Sequence, residues 1–288
     1  MPAVSVIIPT HNRPELLKQA ILSVLRQTFT DFEVIVIDDG DREAGTETVV
    51  SSFNDSRIRY IAQENPHSGA PSARNRGAKE SSAELLAFLD DDDEWLPHKL
   101  ERQVKGMKEA SADIFFCFSS VIMSYDGKES LNCVEDGMGD FAERALRRFS
   151  GTMTSSIVVR RGAFLSVGGF DEAFPSHQEA EFMIRLAERY QGLGISEPLV
   201  RMGVSARRDH IGGDLSRRIR GREMLLNKHA LRYASHPYLL AQHLLWLAFM
   251  YRDAGRIKEA VAAAQRAWVL HRRPSYLIRY LMLRFLRR

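Results

Sequence analysis

Two short apolar runs in this chain end in aspartates. Val34-Ile35-Val36-Ile37 passes into Asp38-Asp39-Gly40, and Leu85-Leu86-Ala87-Phe88-Leu89 passes straight into Asp90-Asp91-Asp92-Asp93. A run that is apolar at every position, instead of alternately, is a strand covered on both faces, which is the condition of a parallel sheet wrapped by helices. The segments between the runs have the helical period that such a sheet needs. Pro14 opens a stretch on which Leu16, Leu17, Ala20, Ile21, Val24 and Leu25 share a face. Val4 to Ile8 reads as a first strand stopped by Pro9, Ile58 to Ile61 as a third strand and Ala73 to Lys79 as a helical piece. Pro97 starts a helix through Leu100, Val104 and Met107. The pattern predicts an α/β body. In an open parallel sheet, ligands bind beyond the carboxyl ends of the strands. Asp38, Asp39, Asp90 and Asp92 all follow strand ends, so this topology gathers them at one edge.

Four consecutive carboxylates repel one another unless a cation or solvent screens them. On a polar loop they would read as a solvated acidic turn. Here they are clamped between a buried strand and Trp95-Leu96-Pro97, which favours a metal site. Carboxylate oxygens without Cys or clustered His suit Mg2+ or Mn2+, ions that bridge one or two carboxylates to a diphosphate. A nucleotide ligand is implied.

Composition excludes other classes. With 288 residues, 44% apolar and 27% charged, the chain is neither disordered nor of low complexity. Its longest apolar stretches, such as Leu244 to Met250, fall short of the ~20 residues that span a bilayer. The N-terminus lacks a basic n-region and a small-residue cleavage site, which sets the expectation of a cytoplasmic protein. Two cysteines, Cys117 and Cys133, cannot build a disulfide scaffold or a four-thiolate zinc site. The net charge of +3 conceals a division: residues 1–216 carry 24 Lys and Arg against 34 Asp and Glu, whereas residues 217–288 carry 16 against 3. A basic appendage of this kind meets lipid headgroups or nucleic acid, or else docks on its own acidic body.

Five segments taken together resemble family 2 glycosyltransferases of GT-A fold. They are Val6-Ile7-Ile8-Pro9-Thr10-His11-Asn12-Arg13, Val36-Ile37-Asp38-Asp39-Gly40, Gly69-x-x-x-Ala73-Arg74-Asn75-x-Gly77, Phe88 to Pro97, and Gly168-Gly169-Phe170-Asp171-Glu172. The resemblance covers roughly residues 3–215 and implies a Rossmann-like mixed sheet flanked by helices, with a basic all-helical region at 216–288. It assigns Pro9, Thr10, Asn12, Arg13, Asp38 and Asp39 to a nucleotide-sugar pocket, with Asp39 accepting from a uracil imide. It also places Arg74 near the base or diphosphate. Asp90 and Asp92 match the family's DxD pair, which implies Asp92 as the direct ligand of Mn2+ or Mg2+ and Asp90 as the contact to ribose or metal, and Asp91 and Asp93 have lesser claims. A helix cap remains the alternative role for Asp38.

The implied reaction is displacement at the anomeric carbon of a nucleotide-activated sugar, UDP-linked by expectation, by a hydroxyl of a glycan or lipid-linked acceptor. A general base on the face opposite the leaving group makes it inverting. The matching stretch is Gln178-Glu179-Ala180-Glu181-Phe182-Met183-Ile184-Arg185-Leu186. Glu179 stands at the base position and Glu181 is a second candidate, although the family usually has Glu-Asp where this chain has Gln178-Glu179. His210, beside Arg207 and Arg208, matches a histidine that approaches the metal or diphosphate. Asp41 and His67-Ser68 depart from the usual donor-pocket residues. The Arg-rich, apolar segment from Pro274 to Arg288 lies in a membrane interface on one reading. On the other it packs on the appendage or on another subunit. No recognised nucleic-acid motif accompanies the positive charge. Two other functions stay open: a non-catalytic nucleotide-sugar-binding scaffold and, more weakly, a dinucleotide oxidoreductase, which lacks its G-x-G-x-x-G loop here.

Overall fold

The computed structural model describes residues 1–41, 45–110, 112–125, 128–147, 153–203 and 214–285. In chain order the elements are β1 (Val4–Thr10), α1 (Pro14–Leu25), β2 (Phe32–Asp38), α2 (Thr46–Ser52), β3 (Ile58–Ala62), α3 (Ala70–Glu80) and β4 (Leu85–Phe88). They continue as β5 (Glu94–Trp95), α4 (Lys99–Glu109), β6 (Ile114–Tyr125), β7 (Lys128–Asn132), β8 (Gly137–Gly139) and α5 (Ala142–Ala145). After the 3-10 turn Thr154–Ser156 come β9 (Val158–Arg160), α6 (Arg161–Ser166), α7 (Gln178–Ala187) and β10 (Gln191–Met202). The helices α8 (Leu215–Lys228), α9 (Ala230–Ala234), α10 (Pro237–Asp253), α11 (Ile257–Leu270) and α12 (Pro274–Phe285) follow.

The chain divides into two compact bodies, one of residues 1–142, 151–172 and 182–206, the other of residues 143–150, 173–181 and 207–288. The first holds one mixed sheet in the order β3-β2-β1-β4-β9-β6-β10-β5, with β7 added on β6 and β8 on β10. Strands β1 to β4 are parallel, β9 runs antiparallel to β4 and β6, and β10 returns parallel to β6. Val4, Val6 and Ile8 pack with Leu17, Ala20, Ile21 and Val24 of α1 in one buried cluster, and Ile35 and Ile37 pack with Ala73 of α3 in another. Helix α3 comes close because Gly77 has no side chain: a Cβ there would lie 2.5 Å from Ile7 Cγ2.

Pro9 does not stop β1, contrary to the sequence expectation; the strand runs on to Thr10. Ile7 accepts from the Leu89 amide on the β4 side, and Pro9, two residues on, faces that same side beyond the last β1–β4 pair, Ile7 with Phe88. Its missing N–H therefore breaks no ladder bond, and its fixed φ suits an extended strand.

The second body is built on α8 to α12. Asp214 caps α8 by accepting from the Ser216 and Arg217 amides, and Pro237 stands in the first turn of α10. Ala260, Ala263, Ala264 and Ala267 form the buried stripe of α11. Expected boundaries at 215/216 differ from the observed division because two earlier segments are bonded to these helices. His243 contacts the Leu146 carbonyl at 2.9 Å, and Ser176 Oγ donates to the Arg217 carbonyl at 3.0 Å. Among the described residues no helix is long and apolar enough to cross a membrane.

Candidate active site

Each aspartate after β4 has a separate anchor. The Arg74 Nη2 donates to Asp90 Oδ1 at 2.5 Å. Thr10 Oγ1 donates to Asp91 Oδ2 at 2.8 Å, and Arg13 Nη1 lies 3.4 Å from Asp91 Oδ1 and 3.3 Å from Asp92 Oδ2. Asp93 accepts from Ser155 Oγ at 2.5 Å. Burial alternates along the run: Asp91 and Asp93 are buried, while the side chains of Asp90 and Asp92 keep 27% and 16% of their surface open. Burial, and then the charge of Asp92, pushes the Asp91 carboxyl up to about 6. Burial with Asp90 and Asp92 nearby pushes Asp93 well above the usual carboxylate range. The repulsion anticipated from four adjacent charges is thus met by two arginines and by burial of two of the four acids.

The end of β2 is equally committed. Asp38 accepts from the Gly40 amide and from Tyr60 Oη, both at 3.0 Å. Among the described residues no helix starts directly after Asp38, so the helix-cap alternative gives way to a turn anchored by its own side chain. Asp39, 4% exposed, accepts from the Ser68 amide at 2.9 Å and the Gly69 amide at 2.7 Å, one on each oxygen. An ionised carboxylate has about four lone-pair positions, so each oxygen retains acceptor capacity for a nucleobase. Asn12 and Asp41 bond reciprocally at 2.7 Å, and a Cβ on Gly40 would lie 2.2 Å from Asn12 Oδ1. His11 contacts the Asp39 carbonyl at 3.0 Å and meets the His67 ring edge-on at 4.8 Å, while His67 Nε2 lies 3.2 Å from Asp41. The residues that depart from the family pattern, Asp41 and His67, are thus partners of each other.

Arg74 is buried on α3, its guanidinium 5.3 Å above the Phe170 ring. Neighbouring Asn75 fixes that ring by accepting from the Phe170 amide at 2.8 Å and donating to the Phe170 carbonyl at 2.8 Å. The adjacency of Arg74 and Asn75 was the available sequence signal for this brace. Ser155 and Tyr60, which hold the two aspartate turns, carry no comparable signal, because a serine or tyrosine reads the same in sequence whether or not it meets a carboxylate far along the chain.

The structure therefore brings Thr10, Arg13, Arg74 and Asp90 to Asp93 into one bonded group, adjoined by Asp39, whose amide donates to the Thr10 carbonyl at 2.9 Å. Glu179 and Glu181 belong to the second body, in the first turn of α7. Glu179 is half-buried. Glu181 is fully enclosed, with Lys228 Nζ at 2.8 Å and His229 Nε2 at 3.4 Å from Oε1. His210 lies outside the described residues, as do Arg207 and Arg208.

The two open carboxylates, Asp90 and Asp92, supply only oxygen donors. Among the described residues no three His, Cys, Asp or Glu converge as a self-sufficient metal site. One or two carboxylates completed by donor phosphates is the set that Mg2+ or Mn2+ takes, so these residues fit such an ion.

Comparison with known proteins places these features in a wider group. Residues 5–154 match the family described as Glycosyl transferase family 2. A GalNAc(5)-diNAcBac-PP-undecaprenol beta-1,3-glucosyltransferase of Campylobacter jejuni is 40% identical over 117 residues, covering 40% of this chain and 38% of that protein. The chain spans 29 to 40% of the length of the first relatives it matches. Among solved structures, S. aureus TarS 1–349 superposes with a TM-score of 0.67 at 16% identity, covering 97% of this chain and 89% of that one. The mannosyltransferase PcManGT from Pyrobaculum calidifontis, in complex with GDP-Man and Mn2+, superposes at 0.59 and 19% identity, covering 99% and 85%. These two likenesses show the GT-A fold.

Proposed function

The chain belongs to glycosyl transferase family 2, and from that premise we propose that it moves a sugar from a nucleoside diphosphate, UDP by preference, to a hydroxyl of a glycan or lipid-linked acceptor, with inversion. The observation that carries this reading is the alternation of the aspartate run: Asp90 and Asp92 are open beside Arg74 and Arg13, while Asp91 and Asp93 are turned inward. Two open carboxylates at the carboxyl edge of a sheet, flanked by arginines, suit a donor diphosphate and its cation.

In this mechanism Thr10, Asp39 and the loop at Ser68-Gly69 seat the nucleoside, and Arg13 and Arg74 face the diphosphate. Asp92 and Asp90 would hold Mn2+ or Mg2+, which when bound would supply positive charge against the charge gathering on the leaving phosphate. Glu179 takes the proton of the acceptor hydroxyl as its oxygen bonds to the anomeric carbon. The bond from that carbon to the diphosphate oxygen breaks with its electron pair on the phosphate, and the configuration inverts. Glu179 has this role in preference to Glu181, whose carboxylate is enclosed against Lys228. The product chemistry fits synthesis of a surface polysaccharide or glycoconjugate, as the lipid-linked acceptor in the name of the Campylobacter relative suggests.

Delivery of such an acceptor suits peripheral attachment to an anionic membrane through α12. On α12 Ile278 and Met282 are 57% and 63% exposed, and just before it Arg272 lies 4.2 Å above Trp268 of α11, which stacks on Tyr280 of α12. The deciding experiment incubates the full chain with UDP- and GDP-sugars, Mn2+ and a panel of polyprenyl-diphosphate glycans. Manganese-dependent transfer lost in Asp92→Asn supports the enzyme; nucleotide binding without turnover across the panel supports a scaffold instead.

A further inference from the structure

Ser155 sits against the aspartate turn although it lies 62 residues beyond Asp93 in the chain. It is 0% exposed, in the middle of the 3-10 turn Thr154–Ser156. Its hydroxyl donates to Asp93 Oδ2 at 2.5 Å and accepts from the Asp90 amide at 3.1 Å. Its carbonyl accepts from Trp95 Nε1 at 2.9 Å. The proton and one lone pair of a single hydroxyl are thus spent on the two ends of one four-residue turn, which closes on itself through the Asp93 amide and the Asp90 carbonyl at 3.1 Å. Asp93 also accepts from the amide of Gly203, just past β10.

The direction of the Asp90 and Asp92 side chains follows from the backbone of this turn. Removing the Ser155 hydroxyl leaves a buried amide and a buried carboxyl short of a partner, a state that buried polar groups relieve by shifting. The geometry points to Ser155 as a positioning residue of the donor site: acting through Asp90 and Asp93, it holds Asp90 and Asp92 outward at the spacing the donor diphosphate and its cation require. This rests on the reading of Asp90 and Asp92 as the residues that meet that diphosphate.

Ser156 offers an internal comparison. It is also 0% exposed, in the same turn, but its hydroxyl bonds the Met153 backbone, donating to the carbonyl at 2.8 Å and accepting from the amide at 3.3 Å. Binding of Mn2+ to the full chain is followed by electron paramagnetic resonance with and without UDP or GDP, alongside the melting temperature. Ser155→Ala is expected to weaken Mn2+–nucleotide binding at least tenfold and to raise donor KM similarly, with acceptor KM within twofold. Ser156→Ala lowers the melting temperature but leaves nucleotide affinity within twofold. If Ser155→Ala does not fold, Ser155→Cys, nearly the same size and a weak donor, carries the comparison. Equal affinity losses in the Ser155 and Ser156 variants, or no loss at Ser155 while Asp92→Asn abolishes Mn2+-dependent binding, overturn the positioning role. Nucleotide binding in the wild type that ignores both Mn2+ and Asp92→Asn overturns the donor-site reading itself, and the positioning role with it.

Discussion

Arg74 on α3 and Asp90 at the end of β4 meet at 2.5 Å between Nη2 and Oδ1, an ion pair whose arginine is 5% exposed and whose aspartate is 27% exposed at the side chain. The asymmetry matters because it holds a guanidinium against the sheet edge while leaving one carboxylate face free. A lysine would keep the charge but lose the planar fork and its contact with the Phe170 ring. Arg74→Lys is therefore expected to raise donor KM about tenfold with little change in acceptor KM, a split measured by initial rates. Arg74→Ala should also cost about 2 kcal/mol of stability in urea unfolding, since a buried charge-assisted bond is lost. An unchanged donor KM in both variants would remove Arg74 from the site.

The two glutamates of α7 give separate tests of the proposed base. Glu179→Gln keeps the size of the side chain and removes the proposed base, so kcat is expected to fall by about 100-fold or more while nucleotide affinity and melting temperature hold. Glu181→Gln takes the charge from a fully enclosed side chain whose partner, Lys228, stays 36% exposed to solvent, and is expected to lower the melting temperature modestly, with kcat of the folded fraction near wild type. Reversal of the two outcomes would transfer the base role to Glu181.

The parallel half of the sheet was legible because its strands are apolar on both faces and its helices keep a 3.6-residue period; Val34 to Ile37 and the α1 face from Leu17 to Val24 fell where the pattern put them. Less legible was whatever depends on contacts distant in the chain. Nothing in Pro9 announces that its missing amide faces past the end of a neighbouring strand, and nothing in Ser155 announces Asp93. The residues around Asp38 and Asp39 were found from their place after a strand. Their partners Tyr60, Ser68 and Gly69 come from another strand and from the loop that follows it, which position along the chain alone does not bring together.

Exposed apolar residues on α12 give the second body a testable surface. Ile278, Leu281 and Met282 are 57%, 37% and 63% exposed, and the helix also carries Arg279 and Arg284. Vesicles of phosphatidylglycerol and phosphatidylethanolamine should sediment the full chain at low salt, and binding should fall severalfold when Ile278 and Met282 are both changed to Ser or when salt is raised to about 0.5 M. Equal binding to neutral phosphatidylcholine vesicles would argue against charge-assisted attachment. A shift from dimer to monomer in the same double variant would assign the face to a second copy.

Lys99 provides a pH dependence whose sign follows from its burial. Its ammonium is fully buried, 2.6 Å from Gln103 Oε1 and 3.9 Å above the Trp95 ring. Burial lowers it from 10.5 to about 7, with Cys117 opposing the shift. Between those two values the unfolded chain holds a proton that the folded chain has released, so this group makes stability rise with pH across the window. Below about pH 7 the lysine is charged in both states and the cost of burying that charge is felt in full. Lys99→Met removes the titrating group, and groups that titrate alike in both proteins cancel in the difference. The stability gained by Lys99→Met over wild type, from urea unfolding, is therefore expected to be largest near pH 6 and to shrink by ~2 kcal/mol between pH 7 and pH 9. A difference that stays constant across that range would mean that Lys99 keeps its proton in the folded protein.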